Sequence, residues 1–207
     1  MINWNTLFIF TLGLAMATAF FGCAPIKQPV ERTHFILEPS RTAHEQRDQP
    51  IRGILSIRSF HVSPGYRGKE LVYKKTGGQT SSDFYNHYFI PPGPMLTQAT
   101  RNWLDDSGLF MAVVPLGSHK DPDYILEGAV VSMHGDFQDP KEPGAVLRMQ
   151  FLLLRDTGLE YELVMKKTYQ EKVMLEQPGA VQLIQGLNKC LESILTDLER
   201  DLDRILN

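Results

Sequence analysis

The chain carries two cysteines in 207 residues. One bridge is the most they could make, so the stapled framework of a small secreted domain is excluded. Charge of one sign is also missing. The formal net charge is −3 and Lys and Arg are scattered without a basic run, so there is no electrostatic footprint for nucleic acid. The chain holds no Gly-rich phosphate loop, no GxSxG elbow, no HExxH and no CxxC, which removes the short motifs that carry a mechanism. Internal repeats and low-complexity tracts are absent too. The longest apolar run, residues 7–21, is shorter than the roughly 20 residues that cross a bilayer.

That run is the most informative feature present. It reads LFIFTLGLAMATAFF, then Gly22 and Cys23, and the chain turns abruptly polar at APIKQPVERTH. An apolar core ending in small residues at a processing point is the hydrophobic region of a secretory signal. A cysteine directly after the small residue resembles the lipobox of bacterial lipoproteins, in which the cysteine becomes an acylated N-terminus. The run has Phe20 where that pattern has Leu, and its leading MINWNT has no Lys or Arg. An uncleaved anchor helix, or cleavage elsewhere, is the other reading. Stable anchoring needs more than one acyl chain. The expected organisation is a signal peptide over residues 1–22, a lipidated Cys23 with an extended linker to residue 50, and one domain over 51–207.

The linker is rich in Pro, Arg, Glu and Gln. One apolar knot inside it, His34-Phe35-Ile36-Leu37-Glu38-Pro39, could add a strand to the body. IRGILSIRSF, LVYKK, FYNHYFI, LFMAVVPL, YILEGAVVSMHGDF, AVLRMQFLLLRD and YELVMKKTYQEKV read as strands, with GGQTSSD as a loop. In the last strand Tyr161, Leu163 and Met165 are expected on one face and Glu162, Val164 and Lys166 on the other. Pro94 suits the start of a helix that Gly108 would stop. After Pro178, Val181, Ile184, Leu187, Leu191, Ile194, Leu198, Leu202 and Ile205 recur every three or four residues. That is one apolar stripe, with Asn188, Lys189, Glu192, Glu199 and Asp203 on the opposite, wet face. The fold class is α+β: a mixed or antiparallel sheet covered on one face by two helices.

The residues offer little chemistry. None of the six histidines stands at a metal-ligand spacing, and His134-Gly135-Asp136 reads as a solvated strand end. Asp105 and Asp106 point about 100° apart on a helix, so they do not share a proton. Cys190 reads as a small buried hydrophobe. No catalytic residue, metal site or cofactor is expected. Two regions remain. SPGYRGKELVY joins a constrained turn to a strand, and FYNHYFIPPGPMLT concentrates aromatics and prolines. These regions are a candidate contact surface for a protein partner or a lipid, with Tyr66, Arg67, Tyr85 and Tyr88 as the candidate partner-binding residues, because Tyr and Arg anchor interfaces. The alternative for the aromatic strand is a central core strand.

The same regions resemble the ABC-type transport auxiliary lipoproteins, the group that includes the paraquat-inducible protein C-like lipoproteins. The matching pieces are Phe35-Ile36-Leu37-Glu38-Pro39, Leu71-Val72-Tyr73-Lys74 and Phe89-Ile90-Pro91-Pro92. They continue with Leu104 to Gly108, then Leu109-Phe110-Met111-Ala112-Val113-Val114, then Asp123-Tyr124-Ile125-Leu126-Glu127-Gly128. Phe35 replaces Tyr and Lys74 replaces Arg. The resemblance implies a periplasm-facing lipoprotein without enzymatic activity. Its implied partners are an ABC transporter permease and ATPase and a mammalian-cell-entry-type substrate-binding protein. The implied cargo is lipid moved between membranes. Ala24 after the acylated cysteine implies the outer membrane. A lipid- or solute-binding module that holds cargo itself, an envelope hydrolase, and self-association stay open.

Overall fold

The computed structural model describes residues 31–41, 51–115 and 117–206, and no side chains for residues 51 and 52. The expected signal peptide, Cys23 and residues 24–30 and 42–50 of the linker lie outside the described residues. Nine strands form one mixed sheet: β1 (Thr33–Phe35), β2 (Ile51–Ile57), β3 (His61–Val62), β4 (Glu70–Lys75), β5 (Gln79–Tyr88), β6 (Phe110–Pro115), β7 (Tyr124–Phe137), β8 (Gly144–Asp156) and β9 (Tyr161–Met174). Among the described residues two α-helices accompany it, α1 (Pro92–Asp106) and α2 (Ala180–Leu206). No helix among the described residues is long and apolar enough to cross a membrane.

β7 organises the sheet. β8 runs antiparallel along one of its edges and carries β9 outside it. The other edge is taken in succession by β2, β3 and β4, all parallel to β7. β6 flanks β2, and β5 flanks β4. β1 is the outermost strand beyond β5, with Thr33, His34 and Phe35 in register with Asn86, His87 and Tyr88. The apolar knot of the linker therefore belongs to the body, and Leu37 behind it is buried.

Both helices feed one core. α2 sets Leu183, Leu187, Leu191, Ile194, Leu198 and Leu202 against β8 and β9, all fully buried. Each such leucine is worth about 1.5–3 kcal/mol of burial. Phe60, Phe151 and Tyr169 stack edge-to-face in that core, with ring centres 5.7 and 5.9 Å apart. Gly128 lets Phe60 lie on β7, since a Cβ there would collide with the ring. Gly186 lets α2 sit on β8, since its Cβ would come within 2.6 Å of Ala145 Cβ and Leu175 Cδ2.

Four local expectations are corrected. α1 begins at Pro92, not Pro94; its first turn has no intrahelical acceptor for its N–H groups, so prolines fit there. The expected loop GGQTSSD is mostly strand, because Gly77 and Gly78 alone make the turn, at φ 75° and 77°. In β9 a bulge between the pairs Leu153/Met165 and Leu154/Leu163 throws Val164 out of register. Leu163 is thereby turned outward, 54% exposed, while Met165 is buried. His134 is no wet strand end; it is 5% exposed.

Candidate functional site

The Pro64-Gly65 turn is a single 3₁₀ turn, Pro64–Tyr66, with Pro64 at its start. Ser63 N–H donates to the Val130 carbonyl at 3.0 Å and Tyr66 N–H to the Ser63 carbonyl at 2.9 Å, so the turn is riveted to β7. The Tyr66 ring stacks on His134 of β7, centres 5.8 Å apart and planes 19° apart. Burial, then the Lys74 charge, pushes the His134 imidazole down to about 4; Asp136 opposes and Lys172 assists. Tyr66 is thus half-buried and braced, and Arg67 beside it is exposed. A rigid aromatic next to a free cation is the makeup of an interface anchor.

A second cluster forms on the β4–β5 side. Asp83 makes it. Its carboxylate accepts from Tyr73 hydroxyl at 2.7 Å, from the Tyr85 and Asn86 backbone N–H groups at 2.8 and 3.0 Å, and from the Asn86 side chain at 3.0 Å. Burial works against the Asp83 charge, yet these bonds hold it below the usual carboxylate range. Burial and the Asp83 bond both push the Tyr73 phenol above its ordinary value. Next to it Phe84 and Tyr85 are each 57% exposed and in edge contact, while Phe89 further on is 63% exposed.

Tyr88 does not share that surface. It is 3% exposed, part of the core, and its hydroxyl has no hydrogen-bond partner among the described residues. Its register with Phe35 turns it toward the inner layer. No hydrogen bond or ring contact joins Tyr66 or Arg67 to Tyr85 among the described residues. The candidates therefore resolve into a braced turn, an exposed aromatic strand and one core residue. Cys190 is buried, its Sγ 3.4 Å from the Ala145 carbonyl; burial above all pushes the thiol up to about 11.

The residues that sequence reasoning misplaced are on α2. Asn188, Glu192 and Glu199 do not face open water; they hold the strap that follows β1. Glu38 N–H donates to Asn188 Oδ1 at 2.9 Å and Ser40 N–H to Glu192 Oε1 at 2.8 Å. Arg41 meets the two Glu199 oxygens at 2.8 and 3.2 Å. A solvated polar face and a face that binds an extended chain have the same sequence pattern, so only the strap's own Pro39 and Arg41 could have hinted at it. Between strap and α1 runs an open groove of about 420 Å³, floored by Leu37, Met95, Ala99 and Trp103 and walled by Arg41 and Asp106 among others.

For acid–base chemistry the structure offers two phenol–carboxylate pairs, Tyr73–Asp83 and Tyr169–Asp201, the latter at 2.7 Å. Both phenols are pushed above the ordinary value, burial first. That makes them poor nucleophiles and good braces. No group of three or more His, Cys, Asp or Glu side chains that could hold a metal occurs among the described residues.

No protein-family model matches the chain, and no curated protein matches it. Solved structures do. A Xanthomonas campestris protein of the DUF330 family superposes with a TM-score of 0.69 at 17% identity, over 80% of this chain and 92% of that one. An uncharacterized protein superposes at 0.64 and 16% identity, over 83% and 98%. A hypothetical protein of Chlamydia trachomatis reaches 0.50 at 6% identity, over 73% and 98%. At these identities the likeness is one of fold, and the chain shares the α+β fold of the DUF330 protein.

Proposed function

We propose that this chain is a membrane-anchored accessory lipoprotein, held by acyl chains on Cys23 at the periplasmic side of the outer membrane. It serves an ABC-type lipid-transport system by protein contact, with a mammalian-cell-entry-type substrate-binding protein as the partner of the Tyr66–Arg67 turn. The carrying observation is that turn: a tyrosine stacked at 19° on a buried histidine, beside an exposed arginine, riveted to the central strand. Pre-ordering of this kind lowers the entropy lost on docking. The apolar run, Gly22 and Cys23 support the anchor. The likeness to the DUF330 protein supports the fold this reading needs.

The groove beside the strap favours a second reading, a module that holds a solute itself. It is a trough with charged walls rather than an enclosed apolar cavity, which suits a small amphipathic molecule better than a lipid.

A Tyr66→Ala, Arg67→Ala variant should keep its far-ultraviolet spectrum and cooperative unfolding and lose co-purification with the substrate-binding protein. Arg67→Glu alone should weaken it without touching the stack. Either variant folding and co-purifying at the wild-type level rejects the turn as the interface.

A further inference from the structure

β1 and β5 present an outer face unlike the rest of the sheet. Phe84, Tyr85 and Phe89 stand out from it at 57%, 57% and 63% exposure, with Ile36 at 42%. They are organised. His34 meets Phe89 edge-to-face at 6.3 Å and covers His87 at 6.1 Å, and the Arg32 guanidinium lies 5.2 Å over the Phe84 ring. Lys69 Nζ donates to the Phe89 carbonyl at 2.9 Å. The face is therefore aromatic at its centre, with the Arg32 and Lys69 cations beside the rings and the exposed Glu31 and Glu70 carboxylates next to them along the chain. Such a patch on a soluble body marks a contact, and this composition suits one medium in particular. Tyr settles at the headgroup level of a bilayer, Phe enters the boundary between headgroups and acyl chains, and Lys and Arg are drawn to anionic lipid surfaces.

The covalent path points the same way. β1 is where the chain that carries Cys23 joins the body, and eight residues, or nine Cα-to-Cα steps, separate Cys23 from Arg32. At no more than about 3.6 Å per residue they span about 30 Å, so this edge cannot be carried farther than that from the acyl groups. We propose that the outer face of the β1–β5 edge lies on the phospholipid headgroup layer of the membrane that anchors the chain. The contact rests on the anchor reading and adds an orientation to it. Tyr85 sits at the headgroup level and Phe84 and Phe89 at its boundary with the acyl chains, with Arg32 and Lys69 toward lipid phosphates, and the Tyr66 turn is left for a protein.

The test uses the full-length acylated protein in vesicles of phosphatidylethanolamine and phosphatidylglycerol with brominated acyl chains. Tryptophan is read at two positions, in the variants Tyr85→Trp and Met111→Trp. Met111 is 65% exposed on β6, at the far end of the strand order from β1. After subtraction of the signal of the native, buried Trp103, emission from Tyr85→Trp should be quenched relative to the same variant in vesicles of unbrominated lipid, and emission from Met111→Trp should be the same in both. Vesicle-bound protein with equal or no quenching at the two positions overturns the orientation and leaves the anchor standing. Protein that stays out of the vesicle fraction overturns both. A photoreactive label on a Tyr85→Cys variant gives a second reading, because Cys190 is buried. Lipid adducts support the proposal, and protein adducts in their place overturn it.

Discussion

Trp103 donates its indole N–H to Glu199 Oε2 at 2.9 Å, joining two helices whose residues stand 96 positions apart. The same carboxylate is gripped by Arg41 of the strap. Glu199 thus ties α1, α2 and the segment after β1 at one point. Its Arg41 partner is largely shielded, with 15% of its side chain exposed, so the pair lies outside the class of surface ion pairs that contribute little.

Removing that acceptor strands two donors. Glu199→Ala should cost about 2–3 kcal/mol, the range for lost hydrogen bonds to a charged group. Arg41→Ala should cost less, because Glu199 keeps Trp103. Urea unfolding of the two variants checks the order; equal costs would reject the three-way tie.

The stripe of α2 is core. Leu191→Ala and Leu198→Ala should each cost about 2–5 kcal/mol, since both side chains are fully buried. Thermal unfolding reads it, and a change near zero at either site would contradict the packing.

Two glycines are held by space rather than by backbone angle. Gly128→Ala should cost about 1–3 kcal/mol by overpacking against Phe60. Gly186→Ala sets the same clash against Ala145 and Leu175, although alanine is the better helix former by about 1 kcal/mol. Calorimetry of both should show the larger loss at Gly128.

His134 gives acid sensitivity a sign. It is neutral in the fold and protonates only near 4, against 6.5 for an unburied imidazole. Below 6.5 the unfolded chain takes up a proton that the fold refuses, so this contribution is whole above 6.5 and is lost as pH falls toward 4. Its size is about 3 kcal/mol at most. The Asp83, Asp136 and Asp201 carboxylates, held below their usual range, extend the loss below about pH 4. A pH series of unfolding free energies should show both slopes in wild type. The upper slope should vanish in His134→Phe.

Long periodic segments were legible from residues alone. β7 occupies the expected residues 124–137, and α2 follows its stripe from Ala180. What escaped was set by partners far along the chain. Alternation could not tell Tyr85 from Tyr88 as surface and core, because the register shift between the pairs Glu70/His87 and Val72/Ser82 and the β1 pairing decide it. The acidic side of α2 looked solvated because its ligand is a backbone 150 residues away. His134 looked wet because the Tyr66 ring that covers it comes from a turn with no periodicity.

The strap has a consequence for the birth of the molecule. A chain is made from its N-terminus, so Glu38, Ser40 and Arg41 exist long before Asn188, Glu192 and Glu199. Their bonds close loops of 150 to 158 residues and wait for nearly the whole sequence. Contacts of that separation are slow to find. The stretch after β1 is among the first of the body to be synthesised and among the last to be fastened. The clasp closes only on a finished fold.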